Sequence, residues 1–538
     1  MKNDISAEAY IEACRRIANL IAENPPKDKK QLHILKAKVS KEYMLEKMPK
    51  NSEILSCLPK EEHVSLYQLL KIKPVRSASG IVVVAVMSRP YPCPQDPACL
   101  YCPGGVQFGS PQSYTGYEPA AKRGKENNYD PFSQVKNRIE QLKAIGHEIQ
   151  KVELIVMGGT FLNQPPEYQI YFLKGCFDGL NGFVASSLEE AIRFNEEADV
   201  RNVGLTIETR PDFCKQPHVD TMLGYGVTRV EIGVQNPSDR IYQIVGRKHT
   251  VHDVIEAFRI AKDSGFKIVA HMMPGLPGSS IAEDIIAFRR LYEDSSLRPD
   301  MMKVYPTLVV ENSQLYKMYL NNEYMPYPDE VMVDIVAQAM SIAPYWLRIM
   351  RVQRDIPSNL IVAGIKKSNL RELANERLKV LGKVCHCIRC REIGLLELRE
   401  KVKFSDEDMS LYRIDYEASE GKEVFISFEN QDRSALVGFL RLRKPSKYAQ
   451  RPEVQEAALV RELHVYGLVT PLGSRLAEGW QHKGYGRRLI EEGEKIVKEE
   501  FGLDKILVTS AVGTRRYYEK LGYSLTGPYM GKRIQKKS

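Results

Sequence analysis

No run of about 18 apolar residues occurs in the 538-residue chain, so nothing in it reads as a membrane-spanning helix. The opening MKNDISAEAY is polar and charged, without the apolar core of a secretory leader. Internal repeats and low-complexity tracts are also missing, which argues against a solenoid or a disordered linker protein. A disulfide framework is absent as well. Three of the ten cysteines fall within 93–102 and three within 385–390, and such tight clusters read as metal sites. Cys14, Cys57, Cys176 and Cys214 are scattered and read as buried small apolar residues. The expectation is a soluble, cytoplasmic protein with no membrane partner.

What is present is ordinary in bulk. Hydrophobic residues make up 43% and charged residues 27%, and the length allows two to four domains. The net charge of +9 suits a nucleic-acid partner but is weak evidence alone. Residues 1–76 hold 15 Lys/Arg against 10 Asp/Glu, and the tail GKRIQKKS adds four cations and no anion. A solvated basic face explains each patch about as well as a phosphate track does.

From residue 77 the apolar pattern changes. IVVVAVM, VELIVMGGTF, VGLTIETRPD, RVEIGVQ, KIVAHMMPGLPG and MKVYPTLVV read as buried strands, alternating with amphipathic helical stretches. This predicts an α/β domain over 77–365, a partial barrel of parallel strands with its chemistry on the loops after them. Those loops carry Gly158, Gly159, Glu208, Arg210, Asp212 and Gln235. Residues 366–400 form a charged connector. The remainder, 401–538, reads as a mixed, mostly antiparallel sheet with helices. The basic helical region 1–76 is the fourth unit.

Cys93, Cys99 and Cys102 follow the first strand with spacing C-x5-C-x2-C. Three thiolates leave one iron of a [4Fe–4S] cluster open to an outside ligand, which S-adenosylmethionine (SAM) can supply. The alternative is a zinc site with a distant fourth ligand. Gly158 and Gly159 in MGGT favour the cluster, because glycine lets backbone approach a bound amino acid moiety. Cys385, Cys387 and Cys390 form a second group, C-x-C-x-x-C. A structural zinc is the first reading there, a redox role or second cluster the alternative. Gln481-His482-Lys483-Gly484-Tyr485-Gly486-Arg487 then opens a helix, a turn suited to a pyrophosphate.

That turn, with Tyr517-Tyr518 and Gly522-Tyr523 downstream, resembles GCN5-related acetyltransferases over about 130 residues. From about residue 75 onward the chain resembles the Elongator catalytic subunit family. The resemblance rests on RSASGIVVVAVMSRPYPCP, CLYCPGGV, YEPAAKRG, VELIVMGGTF, IETRPD, RKHT, MMPGLPGS, RVQRDIP, RELHVYG, QHKGYG and VGTRRYYEKLGY. It implies a radical SAM barrel joined to an acetyltransferase domain and synthesis of 5-carboxymethyluridine at the tRNA wobble position. In that chemistry a 5′-deoxyadenosyl radical takes hydrogen from the acetyl-CoA methyl, the carbon radical adds to C5 of uracil, and hydrolysis releases CoA. By position, Cys93, Cys99 and Cys102 would hold the cluster. Glu462, Leu463, His464, Val465, Tyr485, Gly486, Arg487 and Tyr518 would contact acetyl-CoA, together with Lys151. Lys151 and Tyr518 are the candidate catalytic residues. The first cysteine gap exceeds the usual C-x3-C-x2-C by two residues, a departure that the family tolerates.

The implied partners are a tRNA anticodon loop, whose wobble base can be splayed out, and an electron donor. Homo-oligomerisation is left open. Arg351 and Arg354 could track phosphates, or be spent in intramolecular ion pairs. A protein lysine acetyltransferase with a structural iron–sulfur domain, using Glu462 as base, is the competing function.

Overall fold

The computed structural model describes residues 2–45, 48–49, 51–57, 80–144, 147, 149–400, 402, 404–467, 480 and 483–534. Three helices come first, Lys2–Glu23, Lys29–Glu42 and Asn51–Ser56. They bury Ile17, Ile21, Leu32, Val39 and Ile54 against one another.

The central domain follows the alternation in the sequence. Strands β1 (Ile81–Met87), β2 (Lys151–Met157), β3 (Arg201–Thr209), β4 (Arg229–Gln235), β5 (Lys267–Met272) and β6 (Met301–Val304) form one sheet with β8 (Arg348–Val352), and the short β7 (Val309–Val310) lies between the last two in sequence. Each neighbouring pair in this sheet is parallel, in the order β1-β2-β3-β4-β5-β6-β8. Helices pack outside and cover the outer face with apolar side chains, while the inner face lines cavities. Thr250 with Asp253 and Ser280 with Glu283 form capping boxes that start two of these helices. The sheet does not close. β1 and β8 are its two edges and do not pair with each other, which leaves a gap in the wall.

Strand β9 (Ile361–Ala363) pairs with β7 in a small antiparallel ribbon. The C-terminal sheet comprises β10 (Ser410–Ala418), β11 (Gly421–Glu429), β12 (Leu436–Lys444), β13 (Ala457–Val465), β14 (Lys505–Val508), β15 (Ser524–Thr526) and β16 (Tyr529–Arg533), in the order β10-β11-β12-β13-β14-β16-β15. Only β13–β14 is parallel, and it pairs over Ala457–Val460 alone. Beyond Val460 the two strands part, so among the described residues Glu462–Val465 have no strand partner on that side. The helix Tyr485–Glu499 buries Leu489, Ile490, Ile496 and Val497 beneath this sheet.

The two sheets are locked together by buried charge. Arg461 donates to both carboxylate oxygens of Asp300, at 2.6 and 2.8 Å. Arg443 donates to Asp263 at 2.6 and 2.9 Å and to Glu423 at 3.0 Å. All these side chains are almost wholly buried. A bulge in β13 at Arg461, between the pairs Arg441↔Glu462 and Leu442↔Val460, accompanies its turn toward the central domain. Gly513 completes the fit, since a Cβ there would stand 2.6 Å from Arg201 Cβ and 2.7 Å from the Asn202 carbonyl oxygen. Among the described residues no helix is long and apolar enough to cross a membrane.

Candidate active site

The loop after β1 carries Cys93, Cys99 and Cys102 across the C-terminal ends of the parallel strands. It is tied down along its length. Gln95 donates to the Gly246 carbonyl at 2.7 Å and accepts from Arg210, which Asp212 grips through two bonds of 2.9 and 3.0 Å. Arg247 donates to Tyr101 Oη at 2.7 Å and to the Gly233 carbonyl at 2.6 Å. The Leu100 amide donates to the Val245 carbonyl. Cys99 Sγ and Cys102 Sγ accept from Gln95 and Gln112 at 3.6 and 3.0 Å. Side-chain amides aimed at sulfur suit thiolate ligands, and all three cysteines are free.

These thiols line a cavity of about 280 Å³ at the mouth of the half-barrel. Gly159 also lines it, while Gly158 serves the backbone. At φ +133°, Gly158 sits where a Cβ would meet Ser88 Oγ at 2.1 Å. The cavity floor is charged. Glu231 accepts from Lys303 and from His271, the latter at 2.7 Å. Burial pushes the Glu231 carboxyl up, but Lys303 and His271 outweigh it and hold the group ionised. Glu208 moves the other way: burial, then the Glu231 charge, raises its pKa, and Tyr114 donates to it at 2.7 Å. Tyr114, Glu231, His271 and Lys303 escaped the sequence reading. The signal existed, since RVEIGVQ, KIVAHMM and MMKV each place one polar group inside a buried apolar strand.

A second cavity, of about 700 Å³, lies between the two sheets. Glu462, Leu463 and His464 from the unpaired end of β13 line it, as does Tyr518. Tyr518 is also a core residue, edge-on to Tyr517 and Tyr523. Val465, Tyr485, Gly486, Arg487 and Lys151 are not in its lining. Tyr485 is buried and donates to Asp406, while Arg487 is exposed and pairs with Glu491 at 2.8 Å. Gly486 packs under Tyr517, whose hydroxyl would lie 2.8 Å from an added Cβ. Gln481 and His482 lie outside the described residues. Lys151 opens β2 beside Arg201, and burial followed by that cation lowers its pKa.

The two cavities meet. Both are lined by Val83 and Ala85 of β1, Pro119, Ala120, Met157, Arg351 and Asp355. Their shared wall therefore lies where β1 and β8, the unpaired edges of the half-barrel, leave it open. Arg351 is paired with Asp355 in that wall, and Arg354 donates to the Ser113 carbonyl at 2.6 Å.

Four known families match in sequence along the chain: the ELP3 N-terminal domain over residues 10–78, the radical SAM superfamily over 91–291, the radical SAM C-terminal domain over 299–380 and the acetyltransferase (GNAT) family over 392–523. A tRNA uridine(34) acetyltransferase of Methanocaldococcus jannaschii is 48% identical, over 94% of this chain and 95% of its own. The chain belongs to the Elp3 family. Elongator complex protein 3 of Saccharomyces cerevisiae is 46% identical over 94% of this chain and 92% of its own. The solved Methanocaldococcus infernus Elp3, lacking residues 1–46, superposes with a TM-score of 0.76 at 44% identity. It covers 85% of this chain and is itself covered completely. The protein is thus an enzyme with radical SAM and acetyltransferase domains, as the resemblance implied. Those domain families imply SAM, an iron–sulfur cluster and acetyl-CoA.

Cys385, Cys387 and Cys390 converge more closely than Cys93, Cys99 and Cys102 do. Among the described residues they are the metal-type ligands whose donor atoms all lie within 4.8 Å of one another. Cys387 and Cys390 sulfurs are 3.7 Å apart. Hydrogen bonds from the other two thiols, with Arg371 nearby, hold the Cys387 thiol low. His386 faces away and stacks on Tyr345, ring centroids 4.6 Å apart.

Proposed function

We propose that this Elp3-family chain forms the carboxymethyl group at C5 of the tRNA wobble uridine from acetyl-CoA and SAM, across the joined cavities. The observation that carries this reading is the wall they share at Val83, Ala85 and Met157, since one cavity holds three free thiols and the other the open edge of β13. Cys93, Cys99 and Cys102 would hold a [4Fe–4S] cluster with one iron open to SAM, and the two together would supply the radical chemistry. The protein does the rest. Gly159 lets backbone approach the SAM amino acid end, and the Glu231–Lys303–His271 group presents fixed charge beneath it. Glu462, Leu463, His464 and Tyr518 would meet acetyl-CoA inside the cavity, with Tyr518 as a candidate catalytic contact. Val465, Tyr485 to Arg487 and the second candidate, Lys151, stand outside its lining and would touch the molecule only beyond it.

A groove of about 680 Å³ adjoins the cavity mouth and carries Lys122, Arg123, Arg138, Arg354 and Lys366 against Glu126 and Asp355. This charge suits the phosphates around a flipped anticodon base. The units 1–76, 77–365, 366–400 and 401–538 then serve as RNA arm, radical domain, metal linker and acetyl-CoA domain. Clustered cysteines rather than a disulfide framework support a cytoplasmic location, where a cellular electron donor would reach the cluster.

Glu462 fits poorly as the base of a direct lysine acetyltransferase. Burial pushes its carboxyl up, but Arg441, 2.8 Å away, brings it below the usual range. An ion-paired carboxylate of lowered pKa is a weak base. The deciding assay is anaerobic incubation of reconstituted enzyme with reductant, SAM, acetyl-CoA and tRNA. Uridine modification, 5′-deoxyadenosine and free CoA should form together, and modification should vanish when either SAM or acetyl-CoA is omitted. Lysine acetylation that proceeds without SAM, with uridine untouched, would favour the competing function.

For Cys385, Cys387 and Cys390 the proposal is one zinc ion. A tetrahedral ion with bonds of about 2.3 Å places two sulfurs about 3.8 Å apart, near the Cys387–Cys390 separation. Elemental analysis should find one zinc per chain. Cys387→Ser should lose it while the iron content stays, and equal loss of iron would assign the trio to a cluster instead.

A further inference from the structure

Eight cationic side chains line the cavity between the two sheets, and seven of them are engaged. Arg229 is held by Glu153, Arg348 by Glu392 and Arg351 by Asp355, and Arg461 by Asp300. Arg123 and Arg389 donate to backbone carbonyls at 3.3 and 3.0 Å, and Arg138 to Gln141 at 3.5 Å. The eighth is Lys267, whose ammonium group forms no hydrogen bond or ion pair with any described residue. It begins β5, beside Arg229 of β4, at the end of the half-barrel that faces β13. Its strongest opposing charge is Glu462, which Arg441 already occupies.

Lys267 is half-buried and lines the open cavity, so a ligand that enters there can meet its ammonium group. The ligand of this cavity, on the reading given above, is the acyl end of acetyl-CoA, and the inference rests on that reading. We propose that Lys267 is a further substrate-contacting residue, whose ammonium group donates to the carbonyl oxygen of the acetyl thioester. The placement suits the last step of the reaction. Water attacks the carbonyl carbon, negative charge gathers on this oxygen, the C–S bond breaks and CoA leaves as the thiol, carrying one proton of the water. A fixed cation facing that oxygen stabilises the charge as it develops.

Electrostatics gives the contact a pH signature. Burial, partly offset by Glu462 and Asp300 and reinforced by Arg229 and Arg461, brings Lys267 down to about 8. Facing groups on β13, on β4 and just before β6 keep their charge state between pH 7 and 9: Glu462 and Asp300 stay ionised, Arg229 and Arg461 stay cationic, and burial lowers His464 to about 4, so it stays neutral. Lys262, on the helix behind Asp300, is brought to about 7 and is covered by the variant control.

The test compares equilibrium binding of acetyl-CoA with that of S-ethyl-CoA, which lacks only the carbonyl oxygen, on the full-length holoenzyme. The unaltered protein should prefer acetyl-CoA, and Lys267→Met should lower that preference about tenfold with S-ethyl-CoA affinity unchanged. Lys267→Arg should retain part of it. In the unaltered protein the preference should fall as pH rises from 7 to 9, and in Lys267→Met it should be flat. The pH profile needs no variant, so misfolding cannot hide the answer. Equal weakening of both probes, or an unchanged preference, overturns the role of Lys267. Failure of the unaltered protein to bind either probe overturns the acetyl-CoA reading itself.

Discussion

Replacing Cys99 with serine should bring uridine modification and 5′-deoxyadenosine formation to background while acetyl-CoA still binds with its normal affinity. The physical reason is the separation of the two sites. Cys99 is held on the C-terminal side of the parallel sheet by Gln95 and the Leu100–Val245 hydrogen bond. The unpaired end of β13 lies on the far side of the wall at Val83 and Ala85. Serine is nearly isosteric, so the Gln95 network survives, but an alcohol ionises far less readily than a thiol and is a poor ligand for iron. The measurements are the visible absorption of air-free reconstituted protein, quantified nucleosides and calorimetric acetyl-CoA binding. Retention of modification in the serine variant would remove these thiols from the reaction. Loss of acetyl-CoA binding together with modification would mean that the two cavities are not separately built.

Asp300→Asn should destabilise the protein by roughly 3–5 kcal/mol at neutral pH, the cost of breaking a buried ion pair from one side. Asp300 is fully buried. It accepts two hydrogen bonds from Arg461 and one from the Ile268 amide at 2.9 Å, and Arg441 stands 3.8 Å away. Asparagine leaves Arg461, and Lys262 behind it, without their main counter-charge, and takes from Arg441 its second one after Glu462. Burial pushes the Asp300 carboxyl up, but Arg461 and Lys262 overcome it and hold the group far below the ordinary carboxylate range. The sign follows. A carboxyl with a lowered folded-state pKa contributes stability that is complete above the unfolded value, about 4, and is lost as pH falls below it. The difference between unaltered protein and variant should therefore be largest at pH 7 and shrink below about pH 4. Denaturant unfolding at several pH values measures it. Because this cluster joins the two sheets, tRNA-dependent acetyl-CoA turnover should fall as well, even at temperatures where the variant remains folded. A pH-independent difference would mean that Asp300 acts through packing rather than charge.

The polar groups inside buried strands show where reading the chain stopped short. Glu231, His271 and Lys303 each interrupt an apolar run and become meaningful only when β4, β5 and β6 lie side by side. Arg441, Arg443 and Arg461 look like solvent-facing residues in LRLRK and LVREL, yet all three are fully buried between the sheets. Strand alternation says which residues share a face. It does not say that a second domain covers that face.

Local chemistry is written in local order, and the sequence alone determined the parts that depend on it. The parallel half-barrel, the mixed C-terminal sheet, the two cysteine groups and the glycine turn before Tyr485 all come from residues a few positions apart, where spacing and periodicity carry the physics. The tertiary structure decided how those parts meet. The parting of β13 from β14, the open edge between β1 and β8, the joined cavities and the lone ammonium of Lys267 all depend on contacts between residues far apart in the chain. Such contacts leave no periodic trace in the chain, because packing rather than local propensity selects them.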